Sequence, residues 1–413
     1  MINKIKHKLK DKDAKVLLEN FISLSALQLF GMILPLLTLP YVLRTIGFEK
    51  YGIIIFASSL ISYFQSLTDF SFGVTAVRDV TIFKNNQNKL NIIYSKVITI
   101  KTIFLLLSLC LISIIVFLNT TFYEYKLVYG LSMLQLVGAT LFPEWFFQGI
   151  EKMKYITYLN LGVKFFFTLC IFIFIHTEED FWVYPLLQSA GLIGAGLIGQ
   201  FLLISKYKLK LILLPKRIII NTIKNNFPIF INQFLPTLYN NTSTFLLGIF
   251  SAPNMVGIYN AILTVINLCI TLINILSRTF YPFLNRRRDA FENYRKIILF
   301  ITIILVTGSI VSAPLTFWYL NINYNKAFVV LTILSLGIIG YAFYNIYGLN
   351  FFIIRRKDKL VMYNTIYSSI IGFVMAFPLI YFFGIVGASL NLTISRFLMG
   401  GQLYYKWIKF KNK

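Results

Sequence analysis

Residues Arg44–Asp69 read RTIGFEKYGIIIFASSLISYFQSLTD. A short charged loop runs to Gly52, and an apolar helix follows that carries Ser59, Ser62, Ser66 and Asp69. At about 100° per residue these four share one face. Shifted by 205 residues, a relative appears at Ile249–Asn274, IFSAPNMVGIYNAILTVINLCITLIN. Gly52 falls on Gly257, and the four polar positions fall on Thr264, Asn267, Thr271 and Asn274. Asn260 and Arg278 extend this second face at both ends. A polar stripe on a bilayer-length apolar helix is expected to face protein or water rather than lipid. Two such helices at matching places in two halves predict a shared polar cavity.

The rest of the composition agrees with a bilayer as solvent. The 413 residues are 57% apolar and only 13% charged, with a mean hydropathy of +0.74. Soluble domains run near 25% charged, so this is a membrane protein. The net charge of +24 would suggest nucleic acid in a soluble protein, but here the basic residues lie in short connectors between apolar runs. That pattern sets orientation, and no nucleic-acid partner is expected. Cys110, Cys170 and Cys269 lie within apolar runs, and His7 and His176 have no ligand-type neighbours in sequence, so neither a disulfide framework nor a metal site is expected. The N-terminal region reads as a retained first helix rather than a cleaved leader.

Twelve stretches are long and apolar enough to span: 17–43, 51–74, 97–118, 125–148, 155–175, 181–204, 227–250, 256–280, 296–318, 327–352, 360–382 and 384–405. Connectors on one side hold 31 Lys and Arg, against Arg44, Lys50, Lys126 and Lys326 on the other. The split puts both termini in the cytoplasm. The connectors on the opposite side are too short to fold as domains. The predicted fold is an all-α membrane protein: a basic tail 1–16, a six-helix lobe 17–204, a basic linker 205–226, a second six-helix lobe 227–405 and a tail 406–413. A second echo, GLIGAGL at 191–197 and GIVGASL at 384–390, supports a parallel repeat of six spans. Gly191, Ala195 and Gly199 form a ridge of small residues for close helix packing.

Catalytic patterns are missing: there is no nucleotide-binding GxxxxGK[ST], no HExxH and no GxSxG. No cofactor is expected, and transport rather than catalysis is the natural reading. Polar groups inside spans then become the informative ones. Asp69 sits about 27 Å along span two, near its cytoplasmic end. Arg396 and Lys164 fall near the midplane of spans twelve and five, and Arg278 follows Asn274 by one turn. For Arg278 snorkelling to headgroups competes with a cavity role, and for Lys101 snorkelling is the expectation. Glu144, beside Trp145, reads as a solvated interfacial carboxylate, and Arg44 as a loop residue at the outer end of span one.

The YVLRTIGFEKYG loop, the TDFSFG that follows it, the FQGIEKMKYIT connector and the VGIYNA echo resemble the polysaccharide-biosynthesis flippases, the O-antigen (Wzx-type) branch of the multidrug/oligosaccharidyl-lipid/polysaccharide (MOP) superfamily, which includes the MATE-like transporters. The resemblance implies two lobes around a cavity lined by spans one, two, seven and eight. It also implies a cargo, an undecaprenyl-diphosphate-linked oligosaccharide moved from the inner to the outer leaflet of the bacterial inner membrane. On that reading Arg278, Arg396, Lys164 and Arg44 are candidates for the diphosphate and Asp69 for ion coupling. Contact with a glycan polymerase and a chain-length regulator stays open. A related drug/cation antiporter, the peptidoglycan-precursor flippase and a membrane-embedded glycan polymerase or ligase are the alternatives. Few buried carboxylates, no spans beyond twelve and short outer loops argue against them in turn.

Overall fold

The computed structural model describes residues 28, 30–31 and 33–412. The basic tail 1–16 and the first part of span one lie outside them. Secondary structure among the described residues is helical throughout. Among the described residues nine helices are long and apolar enough to cross a membrane, and a shorter apolar one, α1, covers Ile33–Thr45. Contacts group the chain into two compact units. One holds the described residues up to Pro35 together with Phe64–Phe174 and Trp182–Ile231; the other holds Leu36–Tyr63, Ile175–Phe181 and Asn232–Lys413.

α2 (Gly47–Asp69), whose residues up to Tyr63 belong to the second unit and the rest to the first, ends at a sharp corner, and α3 (Phe72–Phe83) begins. The sequence suggested one uninterrupted span over 51–74. Phe70 and Ser71 instead adopt left-handed backbone, at φ of 39° and 61°, which ends the helix without a glycine. Phe70 offsets that strain by stacking on Phe104 and Phe230, with ring centroids 4.7 and 4.9 Å away. Asn86 accepts from the Lys89 amide and so starts α4 (Gln87–Leu118) ten residues before the expected span. That added length is packed on one side, with Leu90, Ile93 and Tyr94 buried, and Lys96 pairs with Asp79 at 2.6 Å.

After α5 (Thr120–Glu124) come α6 (Lys126–Leu141), α7 (Glu144–Gly149), α8 (Met153–Phe174) and α9 (Val183–Ser205). The small residues of α9 do what the sequence suggested: a methyl on Gly199 would strike Pro143, and one on Gly191 would strike Val163. Ser189 donates to the Leu131 carbonyl at 2.7 Å, Gly138 abuts Leu192, and Gly199 meets Pro143. These pairs keep a nearly constant separation in sequence, so α6 and α9 run parallel.

α10 (Lys216–Phe250) starts eleven residues before 227, within the basic stretch 205–226. Its four central amides, Asn232, Gln233, Asn240 and Asn241, lower its hydropathy, which is why it is not among the nine apolar helices.

The second unit contains α11 (Pro253–Arg286), α12 (Phe291–Val311), α13 (Ala313–Leu320), α14 (Ala327–Phe343), a π-helical turn at Tyr344–Ile353, and α15 (Asp358–Lys411). The last is a hairpin. Gly384, at φ 53° and ψ −127°, breaks it at the glycine that opens the expected twelfth span. Gly387 meets Leu379, Gly372 meets Ser395, and the Asn364 amide donates to the Met399 carbonyl at 2.8 Å, so the two limbs are antiparallel. The second limb runs parallel to α14, with Thr393 donating to the Ile333 carbonyl at 2.8 Å. In the first unit Gln200 donates to the Leu141 carbonyl in the same manner. Gln200 and Thr393 are 193 residues apart, the spacing of the GLIGAGL and GIVGASL echo.

Candidate functional site

Hydroxyls on an apolar helix have one ready acceptor, the carbonyl a turn behind, and most of the stripe uses it. Ser59 donates to Phe56 and Ser62 to Ser58, at 2.7 and 2.9 Å. On α11, Thr264 donates to Asn260 and Thr271 to Asn267, at 2.8 and 2.7 Å. Ser66 lies half-buried on the same face of α2. The amides behave differently. Tyr51 donates to the Asn260 carbonyl oxygen at 3.1 Å, and Tyr341 to that of Asn274 at 2.9 Å. Asn267, between them, is exposed, as is Arg278 one turn beyond Asn274. Neither Arg278 nor Asn267 has a side-chain partner among the described residues. The stripe therefore narrows to an open amide and an open guanidinium along one face of α11.

The first turns of α2 and α11 cross at Gly52 and Gly257, each pressed against a backbone carbonyl of the other helix. Farther along α2, Phe245 of α10 fits between Phe56 and Tyr63, and the Tyr63 hydroxyl meets Thr242 at 3.1 Å.

The other cations are held in different ways. Arg44 is exposed and donates to the Tyr319 carbonyl at 3.2 Å, while the Tyr319 hydroxyl donates back to Leu36 at 2.8 Å. Arg44 thus ties the end of α1 to α13. Lys164 is half-buried on α8 opposite Gly31, where a methyl would sit 2.5 Å from Nζ. Arg396 is 5% exposed, and its Nη1 lacks a hydrogen-bond partner among the described residues. Its charge is felt by the hydroxyls of Tyr239, Tyr259 and Tyr341.

Lys101 departs from the expectation. Rather than snorkelling, it is 3% exposed, with Nζ 3.0 Å from Asp69 and 3.1 Å from the Ala139 carbonyl. Its position nearly halfway along the extended α4 removes the short route to the headgroups. Glu144 is exposed, in keeping with a solvated interfacial carboxylate, and it also lies within electrostatic reach of both Asp69 and Lys101. Burial of a lysine whose partner is 32 residues away on another helix leaves no periodic mark in sequence. Among the described residues no group of His, Cys, Asp and Glu could hold a metal ion.

The polysaccharide biosynthesis protein family matches residues 17–287. Two curated relatives both carry the name "Putative O-antigen transporter". One, from Escherichia coli (strain K12), is 25% identical over 392 residues, covering 92% of this chain and 94% of its own. The other, from Shigella dysenteriae, is 23% identical over 374 residues, covering 88% and 93%. Among solved structures, the lipid II flippase MurJ in an inward-closed conformation superposes with a TM-score of 0.71 at 13% identity, over 94% of this chain and 87% of that one. An inward-facing multidrug-resistance MATE transporter of the MOP superfamily gives 0.64 at 13% identity, over 92% and 98%. These likenesses establish the fold.

Proposed function

Since the chain belongs to the polysaccharide biosynthesis protein family, we propose that it flips undecaprenyl-diphosphate-linked oligosaccharide units, of an O-antigen or similar surface polysaccharide, from the cytoplasmic to the periplasmic leaflet of the bacterial inner membrane. It is a multi-pass membrane protein of the MOP fold. On this reading twelve spans form six-helix lobes over 17–204 and 227–405, with both termini in the cytoplasm. No bond is made or broken. The work is to shield a charged, sugar-bearing headgroup from hydrocarbon while its lipid tail stays in the bilayer.

The observation that supports this best is the open face of α11, where Asn267 and Arg278 are exposed while the other stripe residues are spent on internal bonds. A guanidinium free of carboxylates suits a diphosphate, which it can grip with two parallel donors. The neighbouring amide suits a sugar hydroxyl. Arg278 receives the diphosphate, with Lys164 and Arg44 as further cations along the route. Arg396, sealed in this conformation, serves only in a rearranged state. Alternating access then carries the headgroup across. Asp69, paired with Lys101 and beside Glu144, is the candidate for proton coupling or for balancing charge. A glycan polymerase and a chain-length regulator are the partners proposed for the flipped unit.

Deleting the gene in its own host and analysing lipid-linked and surface glycan tests the reading. Single lipid-linked units confined to the cytoplasmic leaflet, with no surface glycan, support it. Units that are flipped and displayed but never lengthened would assign the protein to polymerisation instead.

A further inference from the structure

Two arginines at one end of the second unit converge on a recess the transport path does not use. Arg288 lies in the short 3-10 turn before α12, and Arg355 directly follows the π-helical turn. With Asp289, Glu292, Lys411 and the rings of Phe291, Phe351, Trp407 and Phe410 they line a hollow of about 210 Å³. Phe291, Phe351 and Trp407 are 4–5% exposed and make an apolar floor, while Phe410, 41% exposed, stands at the rim.

The carboxylates here are already committed. Glu292 pairs with Arg295 at 2.7 Å and with Lys411 at 3.7 Å, and Asp289 pairs with Arg287 at 3.3 Å. Arg288 and Arg355 have none within 4.0 Å among the described residues. Arg288 reaches only the Ile354 carbonyl, at 3.4 Å. Arg355 reaches only the Phe351 carbonyl, at 3.3 Å, with its guanidinium 3.7 Å above the Phe351 ring. Burial, and then the like charge of Arg288, draw the Arg355 guanidinium below its ordinary pKa. Two guanidiniums on one recess, neither paired with a carboxylate of its own and one of them braced by an aromatic face, form a receptor for an anion.

We propose that this recess binds the phosphate of an anionic membrane phospholipid, with Arg288 and Arg355 on the phosphate oxygens. The apolar rim decides between a lipid and a free ion. Phe410 projects from the last turn of α15, where it can lie along the first carbons of an acyl chain, a surface that inorganic phosphate has no use for. The volume admits a phosphate with a small polar headgroup and excludes an oligosaccharide. This inference is independent of the cargo.

Native mass spectrometry of the full chain, with phosphatidylglycerol or phosphatidylethanolamine added at constant ionic strength, tests it. Wild type should retain phosphatidylglycerol preferentially, and Arg288→Gln with Arg355→Gln should lower that retention ~10-fold, as expected for losing a charge-assisted pair. Arg286→Gln, on an exposed arginine that does not line the recess, should leave it unchanged. Should the double variant fail to fold, the wild-type preference still decides, since equal retention of the two lipids overturns the proposal. Displacement of the lipid by millimolar inorganic phosphate would also overturn it, in favour of a free-anion site.

Discussion

Gly52 and Gly257, 205 residues apart, face each other where α2 and α11 cross. The contacts are reciprocal. Gly52 lies against the carbonyl of Pro253, Gly257 lies against the carbonyl of Phe48, and Phe48 and Pro253 are themselves 205 residues apart. A contact in which i meets j′ while i′ meets j is what a local two-fold relation produces. The echo read from the sequence thus has a local structural counterpart at this crossing.

A side chain at either glycine must push the helices apart, because the obstacle is backbone carbonyl and not a movable side chain. Gly52→Ala and Gly257→Ala should each lower stability by about 1–3 kcal/mol, the usual cost of overpacking. Gly73→Ala, with open space at its Cβ, should be neutral. Thermal unfolding in detergent compares the three. Equal midpoints would show that the crossing yields easily.

The Asp69–Lys101 pair is lopsided: the lysine side chain is 4% exposed and the aspartate side chain 47%. Removing Lys101 leaves a carboxylate that water can reach, whereas removing Asp69 strands a buried ammonium. Asp69→Asn should therefore destabilise by roughly 1–3 kcal/mol, discounted for the half-exposed partner, and Lys101→Met by less. The double variant should recover part of the loss of Asp69→Asn alone. A double-mutant cycle by thermal unfolding checks the order, and a larger loss for Lys101→Met would reverse the assignment.

How these features were encoded decides which of them could be read in advance. The stripe on α11 was legible because it repeats every turn in an apolar background, and the Gly384 break because glycine punctuates two apolar runs. The two echoes pointed to the Gly52–Gly257 crossing and to the matching contacts of Gln200 and Thr393. Lys101 was misread because its depth depends on where α4 begins, and that start is set by the Asn86 cap, ahead of the apolar run. The same holds for Arg288 and Arg355, which are 67 residues apart and meet only through folding. Which stripe residues stay open was equally hidden, since Tyr51 and Tyr341 reach Asn260 and Asn274 from other helices.

The corner between α2 and α3 holds a stored cost. Ser71 sits in left-handed backbone, and its hydroxyl is buried without a partner among the described residues. Ser71→Gly removes both the Cβ strain and the orphaned hydroxyl, at the expense of a more flexible unfolded chain. The balance favours the variant by about 1 kcal/mol. A higher unfolding midpoint in detergent is expected. A lower one would mean that the serine contributes a bond this conformation does not form.

Arg278 offers the sharpest test of the transport route, because it is exposed and free of carboxylate partners, so its loss should leave folding intact. A charge-assisted bond to phosphate contributes about 1.5–3 kcal/mol, which corresponds to roughly 10- to 100-fold in rate or affinity. Arg278→Ala should slow the appearance of surface glycan by that factor at normal membrane levels of the protein. Arg278→Lys keeps the charge without the planar fork, so it should retain an intermediate rate. Arg287→Ala, an exposed arginine outside the stripe, serves as the control for simple loss of positive charge. Quantifying lipid-linked units in each leaflet beside surface glycan separates slow flipping from slow synthesis. Normal rates in Arg278→Ala would remove this residue from the route and leave the cation role to Lys164 or Arg44.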